Sequence, residues 1–134
     1  MDTLRRIGIW FLVLQSAGAA LWWLVICFSS SMRALFFPFV TSRLVFIAVS
    51  VPDLVLYSGA GVLAAYALAQ RKRWVIPLVA LHTGAVFYAG LYCWTLALTS
   101  GSGWIGTIMM TPSLLFLPYL LVRLYHNEAT SNEE

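Results

Sequence analysis

Residues 44–69 read LVFIAVSVPDLVLYSGAGVLAAYALA, a run of 26 residues in which Asp53 is the only charge. As one helix it is about 39 Å long, which exceeds a bilayer core of about 30 Å unless the helix tilts or bends. Ser50-Val51-Pro52-Asp53 also offers an internal start, with a capping serine, a proline suited to a first turn and an acid near the positive end of the helix dipole. Two readings follow. Either one long helix kinks at Pro52, or a shorter span of about 52–70 starts there behind a separate outer segment. The long kinked helix is the favoured expectation. The choice decides whether Asp53 is buried or caps a helix at the membrane surface.

The rest of the chain explains why that run must lie in a membrane. Of 134 residues, 61% are hydrophobic and 10% are charged. Soluble domains carry roughly 25% charged residues, so a polar surface cannot be built here. Four spans of about 20 residues use most of the length, leaving no room for a Rossmann unit or a nucleotide-binding loop.

The first span is expected over Ile7–Phe28, behind Arg5 and Arg6. Its start resembles a signal peptide, with Ala17-Gly18-Ala19 as a small-residue site. Leu21-Trp22-Trp23-Leu24-Val25-Ile26 continues the apolar run, however, which favours a full span. The third span is expected over Trp74–Leu98. Thr99-Ser100-Gly101-Ser102-Gly103 then turns the chain into a fourth over Trp104–Tyr125, with Pro112 and Pro118 inside. Residues 126–134 form a polar tail, expected to fray. The fold class is therefore all-α: an integral membrane four-helix bundle with short connections and one aromatic-rich outer interfacial segment.

Charge sets the expected orientation. Arg5, Arg6, Arg71, Lys72, Arg73 and Arg123 fall on one side of such a bundle, and Arg33 and Arg43 on the other. The positive-inside rule then places both termini in the cytoplasm, in a plasma membrane of bacterial type. The net charge of +3 is a topology signal; nucleic acid is excluded as a partner because no basic face exists.

Helices associate in lipid through small residues and interhelical hydrogen bonds. Gln15, Gly18, Ala19 and Trp22 share one face of the first span, and Asp53, Tyr57, Ala60, Gly61 and Ala64 one of the second. His82, Ala85, Ala89, Tyr92 and Cys93 align similarly in the third. In the long-helix reading Asp53 is about 13 Å deep. An ionised carboxylate costs at least about 2.5–3.5 kcal/mol there, so the group is expected to be protonated or paired. The hairpin centred on Arg71–Lys72 sets His82 level with Gly61 and Asp53 level with Gly90. Tyr88 and Tyr92 are then the expected partners of Asp53, with Tyr57 between it and His82 and a relay through Tyr57 as an option. The candidate ligand- or proton-binding residues are Asp53, Tyr57, His82, Tyr88, Tyr92 and Gln15. No metal or cofactor is expected, since there is no His-Glu-x-x-His, no Cys-x-x-Cys and no carboxylate cluster. Cys27 and Cys93 both fall on the outer side, either as a disulfide or as separate thiols.

Between the first two spans, Ala34-Leu35-Phe36-Phe37-Pro38-Phe39-Val40 is too short to cross and is expected to lie in the outer leaflet. Arg33, Phe36, Phe37, Phe39 and Arg43 are its candidate contacts, whether with lipid or with a partner. Four spans and one membrane acid resemble the ground plan of the small multidrug exporters. Their acid is a glutamate in the first helix, where this chain has Gln15, so that family's function does not transfer. Three functions stay open: a non-catalytic accessory subunit or binder of a hydrophobic small molecule such as a lipid or quinone; a proton-coupled transporter using Asp53; and a membrane-embedded lipid-modifying enzyme using Asp53, His82 and the tyrosines as acid–base groups. Expected partners are the bilayer, such a ligand, and a membrane subunit or second copy.

Overall fold

The computed structural model describes residues 2–36 and 43–131, with side chains over 3–34 and 47–127. Helix α1 spans Asp2–Phe28 and the short α2 spans Ser30–Phe36. Helix α3 (Arg43–Pro52) leads without a break into a π-helical segment, Asp53–Gly59, and then into α4 (Ala60–Ala69). Two long helices follow, α5 (Val75–Ser100) and α6 (Trp104–Ser131). Among the described residues, four stretches are long and apolar enough to cross a membrane: Thr3–Phe28, Ile47–Ala69, Val75–Ser100 and Trp104–Asn127. The protein is an all-helical, multi-pass integral membrane protein of four-helix-bundle form.

The helix carrying Asp53 begins ahead of Pro52, so the acid does not cap a helix start. Pro52 keeps helical torsions (φ −57, ψ −41) and no side chain caps the segment that follows. Lacking an N–H, Pro52 leaves the Ala48 carbonyl without its helical donor. The chain accommodates this by widening into the π-helical turns immediately beyond, a device that re-aims every side chain downstream.

The hairpin into α5 is closed by a Schellman arrangement with arginine in the position glycine usually takes. Arg71 sits at φ 50, its N–H reaches Leu68 O at 3.5 Å, and Lys72 N–H reaches Ala67 O at 3.0 Å. Arg5 at the start of α1 donates to the carbonyls of Leu68 (2.8 Å) and Ala69. A cation therefore meets the negative end of α4, where the dipole favours it. At the opposite end, Gly101 takes φ 69 and donates to Ala97 O at 2.9 Å, which ends α5. Helix α6 then runs past the expected Tyr125 to Ser131, since no glycine or proline interrupts 126–131.

The core runs along the bundle through Leu12, Ala64, Val79, Val86, Leu117 and Leu120, all fully buried. Small residues on α4 (Ala60, Gly61, Ala64 and Ala65) bring its backbone close to α1 and α5. The outside is apolar too: Trp10, Leu14, Leu98, Ile108 and Leu115 are all exposed, as a lipid-facing surface requires. Each long helix packs on its sequence neighbour, and the seam that closes the ring lies between α1 and α6. Near the termini that seam is tight. The rings of Phe11 and Phe116 lie 4.4 Å apart, and a Cβ at Gly8 would sit 3.1 Å from the Leu120 methyl.

Candidate functional site

Beyond Phe11 the seam opens. In the half of the bundle away from the termini, α1, the Pro52 region, α5 and α6 surround a cavity of about 460 Å³. On α1, Gln15, Gly18, Ala19 and Trp22 line it, four residues that share a face by helical spacing. Asp53 and Tyr57 enter from the π-helical segment, Tyr88, Ala89 and Tyr92 from α5, and Gly106, Met110 and Ser113 from α6. A Cβ at Gly18 would meet nothing within 4 Å, so glycine here holds space open. Leu14 (66% exposed), Tyr88 (75%) and Met109 (64%) also line the cavity. Being both lining and exposed, they mark where it communicates with the outside of the bundle.

Four of the candidate residues form one polar array. Gln15 Nε2 donates to the Tyr57 hydroxyl at 2.6 Å, and Gln15 Oε1 lies 3.3 Å from His82 Nε2. The Tyr57 hydroxyl points to Met110 Sδ at 3.4 Å, and the Tyr57 and His82 rings meet edge-on with centroids 5.4 Å apart. With Oε1 accepting, His82 carries its proton on Nε2 in this arrangement. Gln15 therefore stands between Tyr57 and His82, where the optional Asp53–Tyr57–His82 relay would place water, and an amide holds both groups in place rather than passing a proton between them. Asp53 is the fourth candidate residue, near enough to Tyr57 for its carboxylate to act electrostatically on the hydroxyl. It is hydrogen-bonded to the side chain of Trp23, not to Tyr88 or Tyr92 as expected. Those two tyrosines line the cavity and are also exposed.

His82 is fully buried, yet it does not line the cavity. It sits behind, against Gly61, as the hairpin register requires. A Cβ at Gly61 would overlap the Ser16 hydroxyl and approach His82 Cε1 to 2.9 Å. Ser16 Oγ and His82 Nδ1 are buried without hydrogen-bond partners, although backbone groups of Leu56 and Tyr57 interact with the ring. The two acid–base groups considered for an enzyme are thus separated: Asp53 faces the cavity and His82 the tight helix contact.

The outer-segment candidates divide. Arg33 donates to Ile26 O at 3.2 Å and Cys27 O at 2.9 Å, so it caps the end of α1. That fold-internal role was not anticipated. Phe36 ends α2 and Arg43 begins α3, while Phe37 and Phe39 lie outside the described residues. Cys27 and Cys93 are both free thiols. Among the described residues no group of three or more His, Cys, Asp or Glu is placed to hold a metal ion.

Sequence reasoning missed Trp23, Met110, Ser113 and Ser16. Trp23 follows Trp22 in a run that reads simply as apolar. It turns inward because Ser16, Trp23 and Ile26 form a buried face of α1 beside the cavity face. Ser113 follows Pro112 in the fourth span, and only the approach of α6 to Tyr57 gives it a role. No protein family, no curated protein and no solved structure matches the chain.

Proposed function

We propose that the protein is a non-catalytic binder of a hydrophobic small molecule, held in the cavity between its four helices. The observation that carries this reading is the cavity itself. Its volume of about 460 Å³ falls within the roughly 300–1,000 Å³ usual for small-molecule sites. Its walls are aromatic, aliphatic and thioether side chains, with a few polar groups converging at Gln15, Asp53 and Tyr57. An apolar cavity with a small polar cluster suits an amphiphile of lipid or quinone type, bound by its body and oriented by its head. Helices pack in lipid by close contact, so an unfilled space of this size forfeits dispersion energy that an occupant restores. Two methionines of the wall, Met109 and Met110, adapt to the shape of an apolar guest.

The opening at Leu14, Tyr88 and Met109 gives a route from the bilayer. The cation distribution of Arg5, Arg6, Arg71–Arg73 and Arg123 supports cytoplasmic termini, an orientation in which the cavity lies in the outer leaflet half. A saturable titration tests the reading. Protein in lipid nanodiscs is titrated with 1-bromododecane and quenching of tryptophan fluorescence is followed, because Trp22 and Trp23 border the cavity. Binding gives a saturable component in the wild type that Gly18→Phe abolishes. Identical, non-saturating quenching in both proteins would remove the proposal.

A further inference from the structure

We infer that the ligand of this cavity is an organic cation: an amine or quaternary ammonium carried on an apolar body, with Asp53 as its counter-charge. The inference rests on the binding reading above and narrows it to a chemical class. Asp53 is the only acid in an apolar run of this chain, and it faces a cavity among whose described lining residues there is no lysine, arginine or histidine. A carboxylate removed from water needs a cation or a proton. The Trp23 indole supplies one hydrogen bond to it, but a carboxylate accepts at about four lone-pair sites and an indole brings no charge. No cation balances Asp53 among the described lining residues, so without an occupant a proton balances it, and a cationic occupant can take that proton's place.

The surrounding walls fit the same class. Trp22, Trp23, Tyr57, Tyr88 and Tyr92 all line the cavity with Asp53, and the Trp22 and Trp23 rings meet edge-on with centroids 4.8 Å apart. Aromatic faces attract a desolvated ammonium through the ring quadrupole, tryptophan most strongly. A ring wall plus one carboxylate is therefore complementary to a cation whose charge is spread over methyl or methylene groups. A metal ion is a poor fit, because hard divalent cations collect several oxygens and no suitable ligand group occurs among the described residues. An anion would meet Asp53 as a like charge. A neutral hydrophobe would fill the volume but leave Asp53 to be neutralised by a proton, making no use of its charge.

The test compares two probes of the same shape. Decyltrimethylammonium and its neutral carbon isostere, 2,2-dimethyldodecane, are loaded at equal mole fraction into nanodiscs containing the full chain, and bound probe per protein is read by native mass spectrometry. The inference predicts at least tenfold preference for the cation. That preference falls to near unity in Asp53→Asn and weakens in Tyr88→Leu, a change on an exposed face. Equal binding of both probes by the wild type overturns the cation inference while leaving the cavity reading intact. Binding of neither probe overturns the cavity reading itself. The wild-type comparison does not depend on any variant folding.

Discussion

Gln15 on α1 donates from Nε2 to the Tyr57 hydroxyl at 2.6 Å, joining residues 42 positions apart. Its other amide atom faces His82 at 3.3 Å, so one side chain ties three of the four transmembrane segments together.

Removing that amide takes a hydrogen bond from two buried groups at once. Gln15→Leu leaves the Tyr57 hydroxyl with Met110 and Ser113 and the His82 ring with the backbone of Leu56 and Tyr57, so the cost is that of the lost hydrogen bonds, about 0.5–1.5 kcal/mol each. Calorimetric unfolding in detergent reads this as a clear fall in Tm. Adding Tyr57→Phe and His82→Leu to Gln15→Leu recovers part of the loss, since replacing all partners by apolar groups removes the unsatisfied atoms. A triple variant less stable than Gln15→Leu would contradict this account of the array.

Two glycines on facing helices behave oppositely. Gly61→Ala drives a Cβ into the Ser16 hydroxyl and the His82 ring, an overpacking that costs about 1–3 kcal/mol. Gly18→Ala meets open space and gains up to about 1 kcal/mol in helix propensity. The same unfolding assay separates them: Tm falls for the first and is unchanged or raised for the second.

Arg5 holds the end of α4. Arg5→Ala removes a charged donor from the carbonyls of Leu68 and Ala69 and is expected to cost about 1–2 kcal/mol. Arg5→Lys recovers only part of this, because an ammonium cannot present the guanidinium's forked donors to two carbonyls. Hydrogen exchange at 67–70 reports the loss locally; unchanged protection there would contradict the capping role.

The helical plan was legible because few residues break it. The Arg71–Lys72 turn set the hairpin register, and with it the level of His82 against Gly61, from residue counting alone. Asp53 stood out for the same reason: it is one acid inside a 26-residue apolar run. The π-helical segment was not legible. Pro52 announces a disturbed helix, but whether the chain bends or widens depends on what packs against Tyr57. The Asp53–Trp23 pairing was hidden likewise, since it depends on the rotation of α1 relative to the Pro52 region. The cavity is the clearest case. A glycine such as Gly18 reads as a packing residue, and only the spread of α1 from α6 turns it into space.

That space carries the functional account, and filling it is the sharpest challenge. Gly18→Phe extends a ring from a position where nothing lies within 4 Å of the added Cβ, and an unchanged Tm is the control that the fold tolerates this ring in the cavity. Wild type and variant are purified from the same membranes without added ligand, and the hydrophobic molecules retained per chain are quantified by mass spectrometry. The account predicts one tightly retained small molecule per wild-type chain, distinct from bulk lipid, and its loss from Gly18→Phe at unchanged Tm. The same retained molecules in both proteins, or bulk lipid alone in each, would contradict it.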